Sequence, residues 1–204
     1  MTGKGRTSEA RGTANRAARR IACWATCAVL LAGLACDDLF PAPNDFEPSG
    51  REFRLRSGMK LESITGKNQG FPAAGTYPLA VTLSSAAGAL ADTLPAGLIF
   101  RSKSSRVQHV IMLKPHAVTA GAGPTANEVG MFCCNEFRQM PRAQDTFELG
   151  PISDHAGLEE IVALVRNKNI AGHLWMVQRA VWMVTDSTGL DGVYRDSLAG
   201  LPPQ

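Results

Sequence analysis

The chain has 204 residues, which is enough for one domain and a targeting segment. The formal net charge is +3, but six of the 21 Lys and Arg residues and one of the 18 Asp and Glu residues lie in the first 35 positions. The remaining 169 positions therefore carry a net charge of −2. This balance gives no support to a nucleic-acid partner.

The first 35 residues are organised like a secretory signal peptide. The first 20 carry a net charge of +5, and the next 15, IACWATCAVLLAGLA, carry none. Fifteen helical residues span roughly 22 Å at about 1.5 Å per residue. A bilayer core of about 30 Å needs roughly 20 such residues. The basic head, the short apolar run and the small residue at its end predict a cleaved signal peptide at 1–35 and no spanning helix.

The end of this segment, LAGLAC, resembles a bacterial lipobox. In that motif a signal peptidase cuts before a cysteine that receives a diacylglycerol on its sulfur. The resemblance implies that Cys36 is lipidated and anchors the protein to a membrane. Gly33 and Ala35 would also suit the ordinary signal peptidase, so a simply secreted protein is the alternative. The sequence does not choose between the inner membrane, the outer membrane and the cell surface.

The next segment, CDDLFPAPNDFEPSG at 36–50, is rich in proline and acidic residues. Such a composition cannot bury much apolar surface. It predicts an extended tether between the membrane and a single domain at 51–204.

From residue 51 to about 150 the apolar residues follow a period of two, which is typical of strands. In EFRLR, Phe53 and Leu55 alternate with charged residues and predict a half-buried strand at 52–56. Short β-branched runs between Gly and Pro residues predict further strands at 78–84, 97–102, 107–113, 128–134 and 146–150. The KSSR segment predicts a hairpin between the second and third of these runs. This pattern favours an antiparallel sandwich or barrel.

After Pro151 the apolar spacing becomes helical and predicts helices at 157–169 and 171–185. A third helix at 191–200 is weaker because Gly192 and Gly200 are poor helix formers. The predicted fold class is α+β, a β-rich antiparallel sandwich or barrel followed by two or three C-terminal helices.

The second predicted helix is apolar almost all the way round, yet it carries Gln178 at its centre. Helical spacing places Gln178 between Trp175 and Trp182, on the stripe expected to face the sheet. An unpaired carboxamide buried there would cost roughly 1–3 kcal/mol. One explanation is that Gln178 binds the backbone of a strand or a loop and fixes the helix on the sheet.

A second explanation comes from a family resemblance. The segment VQRAVW at 177–182 resembles the hydrophobic–Gln–x–x–hydrophobic–Trp motif of bacterial surface thioester domains, and Phe132-Cys133 resembles their cysteine motif. The resemblance implies that the Cys133 thiolate attacks the carboxamide carbon of Gln178, ammonia leaves, and an acyl group remains for transfer to a surface amine. Trp175 and Trp182 would shield this bond from water.

The adjacent cysteines, Cys133 and Cys134, would point to opposite faces of a strand. Their alternatives are two buried thiols, a strained disulfide between neighbours, or an intermolecular bridge. The four histidines are scattered without metal-ligand spacing, and His109 is predicted to be a core histidine. No metal site, cofactor or catalytic residue is predicted.

The sequence thus predicts an exported, lipid-anchored binding or adhesion module, in its mechanistic form similar to a thioester domain. The alternative is a structural or assembly lipoprotein without chemistry. An extracytoplasmic enzyme is third, because nothing names a reaction. The predicted partners are the membrane, through the lipid on Cys36, and a protein or surface amine.

Overall fold

The computed structural model of the protein describes residues 45–67, 75–186 and 189–204. The predicted signal peptide, the predicted lipidation site at Cys36 and the predicted tether as far as residue 44 lie outside this range. Within it, every helix is too short or too polar to cross a bilayer.

The described part of the chain contains nine strands in two antiparallel sheets. The strands are β1 (Gly50–Arg51), β2 (Lys60–Gly66), β3 (Tyr77–Ser84), β4 (Leu90–Leu94), β5 (Leu98–Ser102), β6 (Val110–Ile111), β7 (His116–Ala120), β8 (Thr125–Cys133) and β9 (Phe147–Ser153). Seven strands form one sheet in the order β1-β9-β5-β6-β8-β3-β2, and β4 pairs with β7 in a separate ribbon.

Three helices follow the strands. They are α1 (Ala156–Val165), α2 (Leu174–Asp186) and α3 (Gly192–Ala199), and a 3₁₀ turn at Ala171–His173 leads into α2. The predicted α+β class, with a β-rich body followed by C-terminal helices, is confirmed.

The large sheet curls until its edge strand β2 reaches the start of β9. Thr65 and Thr146 form an antiparallel bridge there, and the Gly66 N–H donates to the Asp145 carbonyl at 3.0 Å. Of the two predicted alternatives, the sheet is closer to a barrel than to two stacked layers.

The curled sheet separates two apolar clusters. The inner cluster combines side chains from strands far apart in the sheet order, which only a curled sheet brings together: Ile64, Leu79, Val81, Leu83, Phe100, Val110, Val129, Met131, Cys133 and Phe147. The outer cluster lies between the sheet and the helices: Ile99, Ile111, Phe132, Cys134, Leu158, Ile161, Val165, Val177, Val181 and Val184. Successive residues of β8 enter the two clusters alternately, as the period of two requires.

Some strand predictions were wrong. Residues 52–56 form no strand, because the Arg56 N–H donates to the Asp92 carboxylate at 2.7 Å rather than to a neighbouring strand. Phe53 and Leu55 still pack, half-buried, against the inner cluster. The predicted strand at 107–113 is reduced to two residues, Val110–Ile111.

The described end of the tether also differs from the prediction. Phe46 is 8% exposed within the outer cluster, and its ring meets the edge of the His155 ring at 5.8 Å between centroids. Gly50 and Arg51 pair with β9 as strand β1. Proline and acidic residues dominate this segment, so its composition did not indicate that Phe46 would be buried.

Candidate functional site at the end of strand β8

The site begins where β3 leaves its neighbour β8. The ladder pairs Tyr77 with Met131, and the Thr76 N–H donates to the Met131 carbonyl at 2.8 Å. At Gly75 the backbone lies so close to β8 that a Cβ atom would be 2.2 Å from the Met131 nitrogen. Only glycine fits such an approach. The ladder between β3 and β8 ends at the pair Tyr77 and Met131 and does not reach Cys133, the last residue of β8.

The side chain of Gln178, from α2, lies beside Cys133, where β3 would otherwise have paired with β8. Its Oε1 atom accepts a hydrogen bond from the Cys133 N–H at 2.8 Å, and its Nε2 atom donates to the Cys133 carbonyl at 2.7 Å. Oε1 also accepts from the Thr76 hydroxyl at 2.6 Å. The carboxamide is 1% exposed and continues the sheet by one step. This is the binding to strand backbone that the first explanation predicted.

The two cysteines point away from each other, as predicted. Cys133 lies in the inner cluster and Cys134 in the outer cluster, and both are free thiols. Burial raises the pKa of the Cys133 thiol to about 12. Burial, and then the nearby Cys133 and Asp186 groups, raise the pKa of Cys134 well above its usual value. Both sulfurs are therefore neutral thiols near pH 7, whereas the thiolate is the nucleophilic form.

The structure brings Cys133 and Gln178 together, but through the backbone of the cysteine. The Cys133 thiol enters the inner cluster on one side of the sheet, and the neighbours of Gln178 on α2, Val177 and Val181, pack in the outer cluster on the other side. In this arrangement the polar atoms of the carboxamide form hydrogen bonds with the peptide groups of Cys133 in β8. The thioester itself stays a prediction.

The two tryptophans lie in different surroundings. Trp182 is half-buried and packs against the inner cluster. Trp175 is 59% exposed, so the prediction that it faces the sheet was wrong. The buried stripe of α2 centres on Val181, and Trp175 lies about 120° away from it at roughly 100° per residue.

A shallow depression of about 490 Å³ lies beside the 3₁₀ turn, and Thr76 and Trp175 are part of its lining. It adjoins the Gln178 site because Thr76 is 6% exposed and donates to the carboxamide.

The loop after β8, residues 134–140, holds the incoming chain. Asn135 adopts a left-handed backbone conformation with φ at 61°, which asparagine tolerates better than most residues. Its Nδ2 atom donates to the Asp45 carboxylate and to the Phe46 carbonyl, both at 2.8 Å. Arg138 pairs with Asp45 and, at 3.1 Å, with Glu47.

His109 lies beneath this loop and is 6% exposed, as predicted for a core histidine. Its Nδ1 atom accepts from the Ser102 N–H at 3.0 Å. Burial, and then the Arg138 guanidinium 3.0 Å from Nε2, lower the pKa of His109 to about 4. Among the residues that the structure describes, no three His, Cys, Asp or Glu side chains group together as a metal site.

A groove beside α1 was not found by sequence reasoning. It has a volume of about 510 Å³ and lies between helix α1 and the turn from β4 to β5. Its lining consists of Thr93, Pro95, Ala96, Gly97, Pro115, Ile152, Ser153, Leu158, Glu159, Val162, Ala163 and Arg166. No motif in the sequence marks it, because its lining comes from segments far apart in the chain.

No protein-family model matches the chain, and comparisons with curated proteins and with solved structures find no match.

Proposed function

We propose that the protein is an exported, lipid-anchored binding module whose ligand site is the groove beside α1. The observation that carries this proposal is the groove itself. A concave, mostly apolar site of roughly 300–1,000 Å³ with a few polar groups is typical of small-molecule binding.

The lining suggests the ligand class. Val162 and Ile152 are partly exposed and offer apolar surface, while Glu159 on α1 and Arg166 just after its end supply one charge of each sign. A ligand with an apolar body and a polar or zwitterionic end fits this set of side chains. A peptide segment with apolar side chains would fit the same lining.

Blocking the groove tests this assignment. Ala163 is exposed and lines the groove, so Ala163→Trp would fill the groove without disturbing the core. The matched control is Val193→Trp, at a position that is 74% exposed on α3. We expect the groove variant to bind the fluorescent apolar probe anilinonaphthalene sulfonate at least about fivefold more weakly than the control, following the loss of buried apolar contact. Equal binding by the two variants, or none by the unmodified protein, would reject the groove.

The anchor has its own test. Cells expressing the protein should incorporate labelled palmitate into it, and Cys36→Ser should abolish the label. An unlabelled protein that is still cleaved and exported would support the secreted alternative instead.

We further propose that Gln178 acts as a clamp between α2 and the end of β8. Its hydrogen bonds to the Cys133 backbone support this role. The rival thioester would lower the intact mass by about 17 Da, because ammonia leaves when the thiol attacks the carboxamide. An unchanged mass, with both thiols alkylated after denaturation, fits the clamp. A mass about 17 Da low, which methylamine raises by about 31 Da to about 14 Da above that of the unmodified chain, would replace it with the thioester.

A further inference from the structure

Large apolar side chains are exposed near the site at the end of β8. Phe137 is 68% exposed, Met140 is 46% exposed and Trp175 is 59% exposed. Phe137 and Met140 belong to the loop after β8, and Trp175 lies in the first turn of α2. Single exposed apolar side chains are common on protein surfaces, but several large ones grouped on one surface indicate an interaction site.

An ion pair joins this loop to α2. Arg179 and Glu136 pair at 2.7 Å between Nη1 and Oε1. Trp175 precedes Arg179 by four positions, so the two side chains lie on the same side of the helix with Cβ atoms roughly 5–6 Å apart. Phe137 follows Glu136 directly. Phe137 and Trp175 therefore flank the same ion pair, and Met140 lies further along the same loop. The surface around this ion pair, with these three side chains, is called here the aromatic face.

The tether joins the domain at the same loop. Asn135 and Arg138 hold Asp45, the first described residue of the chain. Nine residue steps separate Asp45 from Cys36, and they span at most about 32 Å when fully extended. A compact unit of this size has a radius of gyration of about 15 Å. A lipid on Cys36 thus brings the face beside Asp45 to the bilayer more readily than any remote face.

The chemistry of the aromatic face suits a bilayer surface. Trp and Phe side chains are favoured at the boundary between headgroups and acyl chains. The Gln139 N–H donates to the Arg106 carbonyl at 2.8 Å, which places the exposed Lys103–Arg106 turn beside the loop. Its cations can meet lipid phosphates. Of the nearby carboxylates, Asp45 and Glu47 share Arg138. Glu136 pairs with Arg179.

We propose that the aromatic face rests on the surface of the phospholipid bilayer that carries the lipid anchor, with Trp175 and Phe137 inserted at the headgroup level. This inference rests on the proposed lipidation of Cys36. It adds that the bilayer is also a direct contact of the folded domain, and that the domain is held in one orientation.

Trp175 is a convenient reporter for this contact. The chain has three tryptophans, and cleavage before Cys36 removes Trp24. In a Trp182→Phe background, Trp175 is the only tryptophan of the processed protein. We would reconstitute the lipidated protein in phosphatidylethanolamine–phosphatidylglycerol vesicles with and without brominated acyl chains, and measure tryptophan emission.

Insertion predicts a shift of the emission to shorter wavelength and at least about twofold quenching by the brominated lipid, because Trp175 would reach the acyl boundary. Unchanged emission and no quenching would overturn the proposal. Phe137→Ser should reduce the quenching, whereas Val193→Ser, which removes an equally exposed apolar side chain on α3, should not.

Two further measurements keep the outcomes separate. If palmitate labels Cys36 but Trp175 is not quenched, the inference fails while the anchor stands. If palmitate does not label the protein, residues 36–204 without lipid should still sediment with the same vesicles, and Phe137→Ser should reduce the bound fraction at least about threefold. A dimer in solution that Phe137→Ser dissociates, without vesicle binding, would assign the face to a second copy and reject the bilayer.

Discussion

The two sides of helix α2 differ in burial: one is packed against the sheet, and the other is exposed. On the side that meets β8, Gln178 is buried and its carboxamide binds two backbone groups and one hydroxyl. On the side that meets the following loop, Trp175 is exposed and Arg179 makes a surface ion pair. The buried side with Gln178, called here the sealed side, fixes the helix against the end of β8. The exposed side with Trp175 and Arg179, called here the open side, presents its side chains to the surroundings. The fixed contact thereby determines where the aromatic face lies.

The largest expected effect comes from removing the sealed contact. Gln178→Met keeps the length and helix propensity of the side chain but leaves the Cys133 N–H and carbonyl without their partner. We expect a loss of about 4 kcal/mol in the free energy of unfolding, since each buried unsatisfied group costs roughly 1–3 kcal/mol. Urea denaturation measures this loss.

Arg179→Met is the matched control on the open side of the same helix. Its side chain is 51% exposed, and a surface ion pair contributes roughly 0–1 kcal/mol. Similar losses for the two variants would contradict the distinction between the sealed and open sides.

Sequence reasoning anticipated the sealed side better than the open one. The period of two along β8 placed Cys133 and Cys134 on opposite faces, and a buried amide required a backbone partner. Nothing in the sequence identified Cys133 as the residue whose peptide groups would lack a strand partner, because that depends on the close approach of Gly75 to β8. This approach is a tertiary contact between segments more than 50 residues apart.

The errors have physical causes of the same kind. Strands β2, β4 and β7 were missed because Thr, Ser and Ala interrupt their apolar alternation, and pairing with neighbours decides their conformation. Trp175 was assigned to the buried stripe from spacing alone. Apolar residues occur on every side of α2, and the one sequence signal for its exposed direction was Arg179, four positions after Trp175.

The pH dependence of the unfolding free energy tests the burial of His109 beneath the loop after β8. The pKa of His109 falls from 6.5 to about 4 on folding, owing to burial and then to Arg138, with smaller opposing effects of Glu47 and Asp45. The unfolded chain therefore binds the proton first as the pH falls. We expect His109 to stabilise the fold above pH 6.5 and to lose about 2–3 kcal/mol of that contribution between pH 6.5 and pH 4, at about 1.36 kcal/mol per pKa unit.

The comparison with His109→Gln isolates this contribution, because the carboxylates titrate in both proteins. The difference in unfolding free energy between the two should shrink as the pH falls from 6.5 to 4. Parallel curves over this range would show that His109 does not titrate as the structure indicates.

Thr76→Val tests the third hydrogen bond of the clamp. Valine keeps the branched shape but removes the hydroxyl that donates to Gln178 Oε1. We expect a loss of about 1 kcal/mol, since Oε1 still accepts from the Cys133 N–H. In the Gln178→Met background the same substitution should cost almost nothing, and a double-mutant cycle measures the coupling. Additive losses would mean that the hydroxyl and the carboxamide do not act together.

The smallest effect belongs to the ion pair that joins the loop to α2. Glu136→Gln removes one charge from a pair whose side chains are 36% and 51% exposed, so we expect a loss below about 0.5 kcal/mol that disappears at high salt. A loss as large as that of Thr76→Val would place the loop within the sealed part of the molecule. The position of the aromatic face would then depend on Glu136, and the exposed part of the loop would begin at Phe137.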